Sequence, residues 1–247
     1  MLKFSAGNAK LKNIISFSLA SGWSCPFANE CYSKADPVTG KITDGANTQF
    51  RCFSASQESL YPAVREQRNH NFNELKNIKT VEEMSQKIQQ SLPKIKKSGE
   101  GKIVRLHVAG DFFNQNYFDA WVVVAKNNPD RIFYAYTKSL QYWINRINDI
   151  PVNLKLNASK GGKLDKLIDQ YNLKYAEVVY SEQEAIEKGL EIDHDDSHAY
   201  DYNHSFALLI HGTQPKGSKA AAAKSLLAKQ GWTGYQKKKG REKVINK

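Results

Sequence analysis

Cysteine is scarce in this sequence, and an odd count of three excludes a framework in which every thiol is paired within the chain. Long apolar runs are missing too: no stretch approaches the roughly 20 residues that a membrane-spanning helix needs. The opening residues Met1, Leu2, Lys3 and Phe4 run into Ser5, Ala6, Gly7 and Asn8 without the apolar core of a secretory signal. These absences lead us to expect a cytoplasmic protein whose thiols stay reduced and available to metal. Acidic residues are the minority, 25 Asp and Glu against 36 Lys and Arg. The excess is local, because residues 216–247 hold ten basic side chains and one acidic one, Glu242, and so carry +9 of the formal +11.

The length of 247 residues with 40% hydrophobic content suits one α/β domain. We expect that domain over 1–231, with a cysteine loop at 20–53 and a basic tail at 232–247. Ile15, Phe17 and Leu19 alternate with polar or small neighbours and predict a first strand over 13–19. Helices are expected over 55–68 and 81–95, the second opened by Thr80 with Glu83 three residues on. From 102 onward strands at 103–108, 131–136, 152–156, 175–180 and 205–210 alternate with helices at 117–126, 140–147, 163–171, 182–189 and 219–229. With the first strand this makes about six βα units, which predicts parallel strands joined by right-handed crossovers. Six units point to a partial (βα)6 TIM-like barrel, with a doubly wound sheet as the alternative. Function in either fold collects where the strands end.

Those ends carry chemistry. All three cysteines fall in the first loop: Cys25 and Cys31 in a C-x5-C pair, and Cys52 after twenty further residues that include the turn-forming run 36–45. Three thiolates can hold three corners of a 4Fe-4S cubane and leave one iron open. Zinc would need a fourth ligand, such as one of the six histidines, and small buried apolar packing is the third possibility. The later strands end in Gly110-Asp111, Thr137-Lys138-Ser139, Asn157 and Ser159, and His211-Gly212-Thr213-Gln214. A carboxylate that accepts from an amino group, a glycine that admits backbone, and hydroxyl or amide groups for a ribose would suit S-adenosylmethionine. Each also has a plainer use as a cap or a turn. His107 is either an interior histidine or a fourth ligand of the metal. Tyr32, beside Cys31, either shields that site or packs as an ordinary ring.

Taken together, Ser24-Cys25-Pro26 with Cys31-Tyr32, Arg105 to Phe112, Phe133 to Ser139, and His211 to Gln214 resemble the phage gene product 88 family, over most of the chain. More distantly, the cysteine loop after strand one, Gly110-Asp111 after strand two and Thr137-Lys138 after strand three are similar to radical S-adenosylmethionine proteins. That likeness implies a three-cysteine 4Fe-4S cluster in a partial (βα)6 barrel, reductive cleavage of the sulfonium to a 5′-deoxyadenosyl radical, and an electron donor; the phage resemblance implies that the cytoplasm expected above is that of the host cell. The usual loop in those proteins is C-x3-C-x2-C, and Gly110-Asp111 stands where they carry Gly-Gly-Glu.

Two further stretches stand outside this picture. Residues 193–204 combine Asp193, Asp195, Asp196 and Asp201 with His194, His198 and His204; the spacing fits no zinc motif and reads as a solvated acidic loop, with metal binding as the alternative. The tail joins Trp232 and Tyr235 to Lys237, Lys238, Lys239 and Arg241, a composition that suits phosphate contact with base stacking as well as a solvated terminus. If it binds nucleic acid, replacing those four basic residues by Gln should flatten the inverse dependence of affinity on salt in a DNA or RNA titration. Equal slopes for both proteins would leave the tail a solubilising terminus.

Overall fold

Alternation within the strands gives the sheet two different faces. The computed structural model describes residues 1–7 and 11–233 and the backbone of 236–237. In order, the elements are β1 (Ile14–Phe17), β2 (Ser33–Ala35), β3 (Ile42–Asp44), α1 (Phe53–Leu60), α2 (Pro62–Lys76), α3 (Val81–Ser91), β4 (Ile103–Leu106), α4 (Gln115–Lys126), β5 (Ile132–Thr137) and α5 (Leu140–Ile144). They continue with β6 (Leu154–Ser159), α6 (Lys166–Gln170), β7 (Tyr175–Val179), α7 (Glu182–Glu187), β8 (Glu191–Ile192), α8 (Ser197–Tyr200), β9 (Phe206–Leu209), α9 (Lys219–Lys229), β10 (Trp232–Thr233) and β11 (Gln236–Lys237). Ile15, Phe17, Val104, Leu106, Phe133 and Ala135 point to one side and pack against Phe118, Trp121, Val122 and Ala125 of α4, and Met84 and Ile88 of α3. Ile14, Ile103, Tyr134, Tyr136, Phe206 and Leu208 point to the other, where they meet Ala199 and Tyr200 of α8.

The main sheet has seven strands in the order β1-β4-β5-β6-β7-β9-β8, and each of its pairings is parallel. Up to β9 the spatial order is the chain order, so there is no switch point of the doubly wound kind. Right-handed crossovers between such neighbours bring successive helices to the same face. The opposite face is left to side chains, to α8 and to the loops at the strand ends. No pairing joins β1 to β8 among the described residues, so the sheet is open rather than a closed barrel.

Several predicted boundaries move for identifiable reasons. The helix expected over 55–68 is two helices: Tyr61 is extended at φ −120° and Pro62 opens α2, where its missing N–H costs nothing. Thr80 accepts from the Glu83 N–H at 3.3 Å and donates its hydroxyl to the Glu83 carboxylate at 3.0 Å, so its side chain caps the first turn as expected, but α3 stops at Ser91, with Leu92 extended just before Pro93. β4 ends sooner than 108 because His107 takes φ +62°, which a strand cannot continue. The excursion after Cys31 holds a short hairpin, β2 with β3, whose turn is tied by Asp36 to the Thr39 N–H at 2.7 Å. Trp232, assigned from sequence to the tail, is only 6% exposed and packs with Ala220, Leu227 and Leu209; its N–H donates to Glu182 at 2.9 Å. It is therefore a core residue and not a surface stacking platform. The side chains of Tyr235, Lys237, Lys238, Lys239 and Arg241 lie outside the described residues. No described helix is long and apolar enough to cross a membrane.

Asn114 opens α4 directly after the β4 loop, and its side-chain Oδ1 accepts from the Tyr117 N–H at 2.8 Å. Asn114→Ala should lower stability by about 1 kcal/mol in urea unfolding while Asn114→Asp stays close to wild type; equal loss in both variants would show that the cap contributes nothing.

Candidate functional site

The three cysteines, separated in sequence, line one cavity of about 160 Å³ together with His107, Asp111, Tyr136, Lys138, Ser159 and His211. That volume is on the order of ten times what one water requires. The cavity sits where β4, β5, β6, β7 and β9 end, which is the place expected from the sequence. All three thiols are free.

Four tethers put them there. At the end of β4, the Leu19 N–H donates to Ala109 at 2.9 Å, and Gly110 takes φ +83° with Leu19 and Ser24 so close that an added Cβ would stand 2.5 Å from the Ser24 hydroxyl. Beyond β6, Glu30 N–H donates to the Gly161 carbonyl at 3.0 Å and Lys163 N–H to Phe27 at 2.9 Å, so the loop from Cys25 to Cys31 lies along 161–163. After β9, the Gln214 side chain accepts from the Arg51 N–H at 2.8 Å and donates to the Arg51 carbonyl at 3.0 Å. Gly212, at φ +75°, leaves room for Phe53, whose Cβ would lie 2.5 Å from a side chain there. The His-Gly-Thr-Gln motif thus holds the segment that carries Cys52. The fourth tether is buried: Glu58 of α1, 0% exposed, accepts from Ser21 N–H at 3.0 Å and Ser21 hydroxyl at 2.7 Å and pairs with Arg68 at 3.1 Å. Glu58 and Arg68 escaped the sequence reading. Ten residues apart, they show no helical i,i+3 or i,i+4 spacing that would pair them, and only the break at Tyr61–Pro62 brings them together.

The residues nominated for cofactor contact form a belt along the strand ends, but most of their polar atoms are taken up by one another or by backbone, the buried Oδ1 of Asn157 being an exception. Asp111 is 5% exposed and accepts from Thr137 hydroxyl at 2.6 Å, Phe112 N–H at 2.7 Å and Lys138 N–H at 2.8 Å. It does not cap α4, a task that falls to Asn114. Lys138 Nζ donates to Ser159 hydroxyl at 2.9 Å and to the carbonyls of Ser159 and Lys160, each at 2.7 Å. Ser139 donates to the Phe112 carbonyl at 2.7 Å. Asn157 donates to Ala135 and to Ala199, fastening α8 to the inner face, at 3.2 and 3.0 Å. Gly110 lets Leu19 and Ser24 of the cysteine loop approach closely and also lines the cavity. Spare capacity lies elsewhere in the cavity wall: the Nδ1 of His107 and the hydroxyl of Tyr136 are buried without a hydrogen-bond partner. His107 is bonded on its other nitrogen to Tyr117 at 2.9 Å. Tyr32 lines an adjoining open cleft of about 460 Å³ with Trp23, Asn29 and Asn47, and Cys25 lies in the wall of both.

Burial dominates the electrostatics. It pushes the Cys25 thiol well above its ordinary pKa, with Asp111 and Cys52 adding to the shift. It pushes Cys52 to about 11, helped by Cys31 and opposed by the Ala55 and Ser54 N–H groups of α1. Burial also lowers His107 to about 3, leaving a neutral imidazole. Protonated thiols are poor ligands, and a cation in their midst reverses the balance by deprotonating them.

The gene product 88 family model matches residues 2–231. Similar curated proteins include the "Gene 88 protein" of Mycobacterium phage L5, 28% identical over 137 residues that cover 53% of this chain and 51% of that protein. The protein of the same name from Mycobacterium phage D29 is 28% identical over 137 residues, 53% of this chain and 50% of that one. The chain spans about half the length of the curated relatives it matches. No solved structure matches it.

Asp111→Asn should cost roughly 1–3 kcal/mol, because its amide would turn a donor toward an N–H or hydroxyl that now donates to it. Burial raises the Asp111 carboxyl to about 6 from an ordinary 3.8. The folded chain therefore holds this proton more tightly than the unfolded one. Its contribution to stability is fully present below about 3.8 and is lost as pH rises through about 6. Unfolding measured across that interval should show the decline in wild type and lack this component in Asp111→Asn; parallel curves would exclude the shift.

Proposed function

The chain belongs to the gene product 88 family of phage proteins, and from that premise we propose an iron-sulfur protein in which Cys25, Cys31 and Cys52 hold a 4Fe-4S cluster in the cavity at the strand ends. The carrying observation is the convergence of thiols from two distant segments on one cavity, each segment tethered by a different strand end. The donor set is of the right kind: three sulfur ligands, two from the Cys25–Cys31 loop and one from Cys52 just before α1, would suit separate corners of a cluster. Six parallel strands in chain order support the finer reading, a partial (βα)6 barrel of the radical S-adenosylmethionine type, with an external electron donor.

Bound there, a cluster with three protein thiolates would supply electron transfer to a small ligand at its remaining iron, by preference S-adenosylmethionine. The chain's own contribution would be binding and exclusion of water. The belt of Asp111, Thr137, Lys138 and Ser159 keeps the strand ends in register, while His107 Nδ1 and the Tyr136 hydroxyl supply the unpartnered polar groups facing a bound molecule. The same His107 nitrogen supports one competing occupant, zinc held by the three thiolates and His107. With a basic tail such a protein would be a zinc-stabilised nucleic-acid binder; a non-catalytic iron-sulfur protein is the other outcome.

Anaerobic reconstitution tests this. Wild type should take up about four irons and four sulfides per chain, and Cys25→Ala, Cys31→Ala and Cys52→Ala should each lose stable iron. Full iron and sulfide in Cys52→Ala would remove the three-cysteine assignment, and zinc as the sole stable metal would replace it. Calorimetric titration of the reconstituted protein with S-adenosylmethionine, followed by reduction and assay for 5′-deoxyadenosine, separates a radical enzyme from a cluster protein without catalysis.

A further inference from the structure

A second group of metal-ligating side chains gathers at the other end of the sheet. Glu191 lies in β8 beside Phe206, the first residue of β9, so this end is opposite the cysteine cavity, which takes Ile210 and His211 from beyond β9. His198 in α8 and His204 in the lead-in to β9 turn their Nε2 atoms onto one Glu191 oxygen at 3.1 and 3.2 Å. All three ligand atoms lie within 4.8 Å of one another. A tetrahedral ion with bonds of about 2.0–2.1 Å sets its ligand atoms about 3.3 Å apart.

An independent observation concerns the far side of His198. Its Nδ1 meets Asp193 Oδ1 at 3.2 Å, and Asp193 is 1% exposed with its second oxygen buried and unpartnered. A buried carboxylate on the outer nitrogen of an imidazole is the arrangement that fixes the tautomer and ring orientation of a metal-bound histidine. The ring is held further by stacking on Tyr202, with centroids 4.6 Å apart and planes 13° apart. Asp193 is itself fixed to the sheet through its N–H, which donates to Ala207 at 2.9 Å. His204 and Glu191 remain 49% and 69% exposed along their side chains, which leaves an entry path for an ion and space for a fourth ligand.

We propose that Glu191, His198 and His204 form a divalent transition-metal site, zinc by preference, oriented by Asp193 and completed by water. The ion would replace the proton shared between imidazole and carboxylate and would join β8, α8 and the lead-in to β9. Since α8 covers the inner face of the sheet through Ala199, the site would fasten the segment that closes the end opposite the cysteines. It stands independently of the cluster.

Cobalt(II) titration of the purified full chain is the test, because cobalt reports its own ligands. Nitrogen and oxygen ligation gives visible ligand-field bands alone, whereas the cysteine cavity would add sulfur charge-transfer absorption. We expect one cobalt per chain with nitrogen and oxygen ligation, apart from any sulfur-ligated cobalt in the cysteine cavity, displaced by zinc, with affinity reduced at least tenfold in His204→Gln and ten- to a hundredfold in Asp193→Asn. Circular dichroism of His204→Gln should match wild type, since its side chain is half exposed. Cobalt bound through sulfur alone, or a His204→Gln variant with unchanged affinity and spectrum, would overturn the site.

Discussion

The arrangement of the first loop depends on one buried carboxylate. Glu58 reaches from α1 to the Ser21 backbone and hydroxyl, and its charge is balanced by Arg68 from α2. Arg68 in turn donates to the Ser54 carbonyl at 3.0 Å, and Arg65 to the Glu58 carbonyl at 2.7 Å. Burying such a pair gains little net stability over apolar packing, but losing one partner strands the other charge in a dry interior. What the pair provides is geometry. It locks the start of the Cys25–Cys31 loop to the helix whose N-cap is Cys52, and so couples the two segments that bring thiols to the cavity.

The strand ends form a second layer of constraint. A parallel sheet ends with open N–H and carbonyl groups, which need partners when they are buried. Here side chains supply many of them: Asp111 bridges β4 to β5, Lys138 bridges β5 to β6, and Gln214 reaches from beyond β9 to Arg51. Polarity at this face therefore serves two ends, joining the strands and leaving a few unsatisfied atoms in the cavity wall. The residues richest in donors are those with least capacity left for a ligand.

Beneath the cavity, on the inner face, Arg105 pairs with Asp196, which also accepts from Tyr134 at 2.8 Å. Asp196 takes φ +69° at the start of α8, a conformation that Asp tolerates better than most residues. This contact draws the acidic loop into the sheet. Its outer side chains, Glu191, His198 and His204, are thereby left to converge at the rim, so one loop both fills the inner face and assembles the second candidate site.

Local rules in the sequence determined the elements. Alternation in 13–19 gave β1, Thr80 and Glu83 opened α3, and the run of 219–229 is α9 as expected. The repeating βα pattern determined a parallel α/β sheet, because chain order and handedness restrict the choices. The sequence also placed the cysteines, Asp111, Lys138 and His211 at strand ends. Tertiary structure decided what those placements mean. Twenty residues separate Cys31 from Cys52, a distance over which local propensity carries no information, and tertiary contacts, among them Gln214 with Arg51 and the Glu30 carbonyl with the Gln49 and Phe50 N–H groups, bring them to one cavity. Asp111 looked like a free carboxylate because its partners, Thr137 and Lys138, lie on the neighbouring strand. The 193–204 loop read as solvated charge, since Arg105 and Tyr134 are distant in sequence and become its neighbours only when the sheet forms. A hydrogen-bond acceptor can be recognised from one residue, but whether it is spent depends on a donor that the fold brings to it.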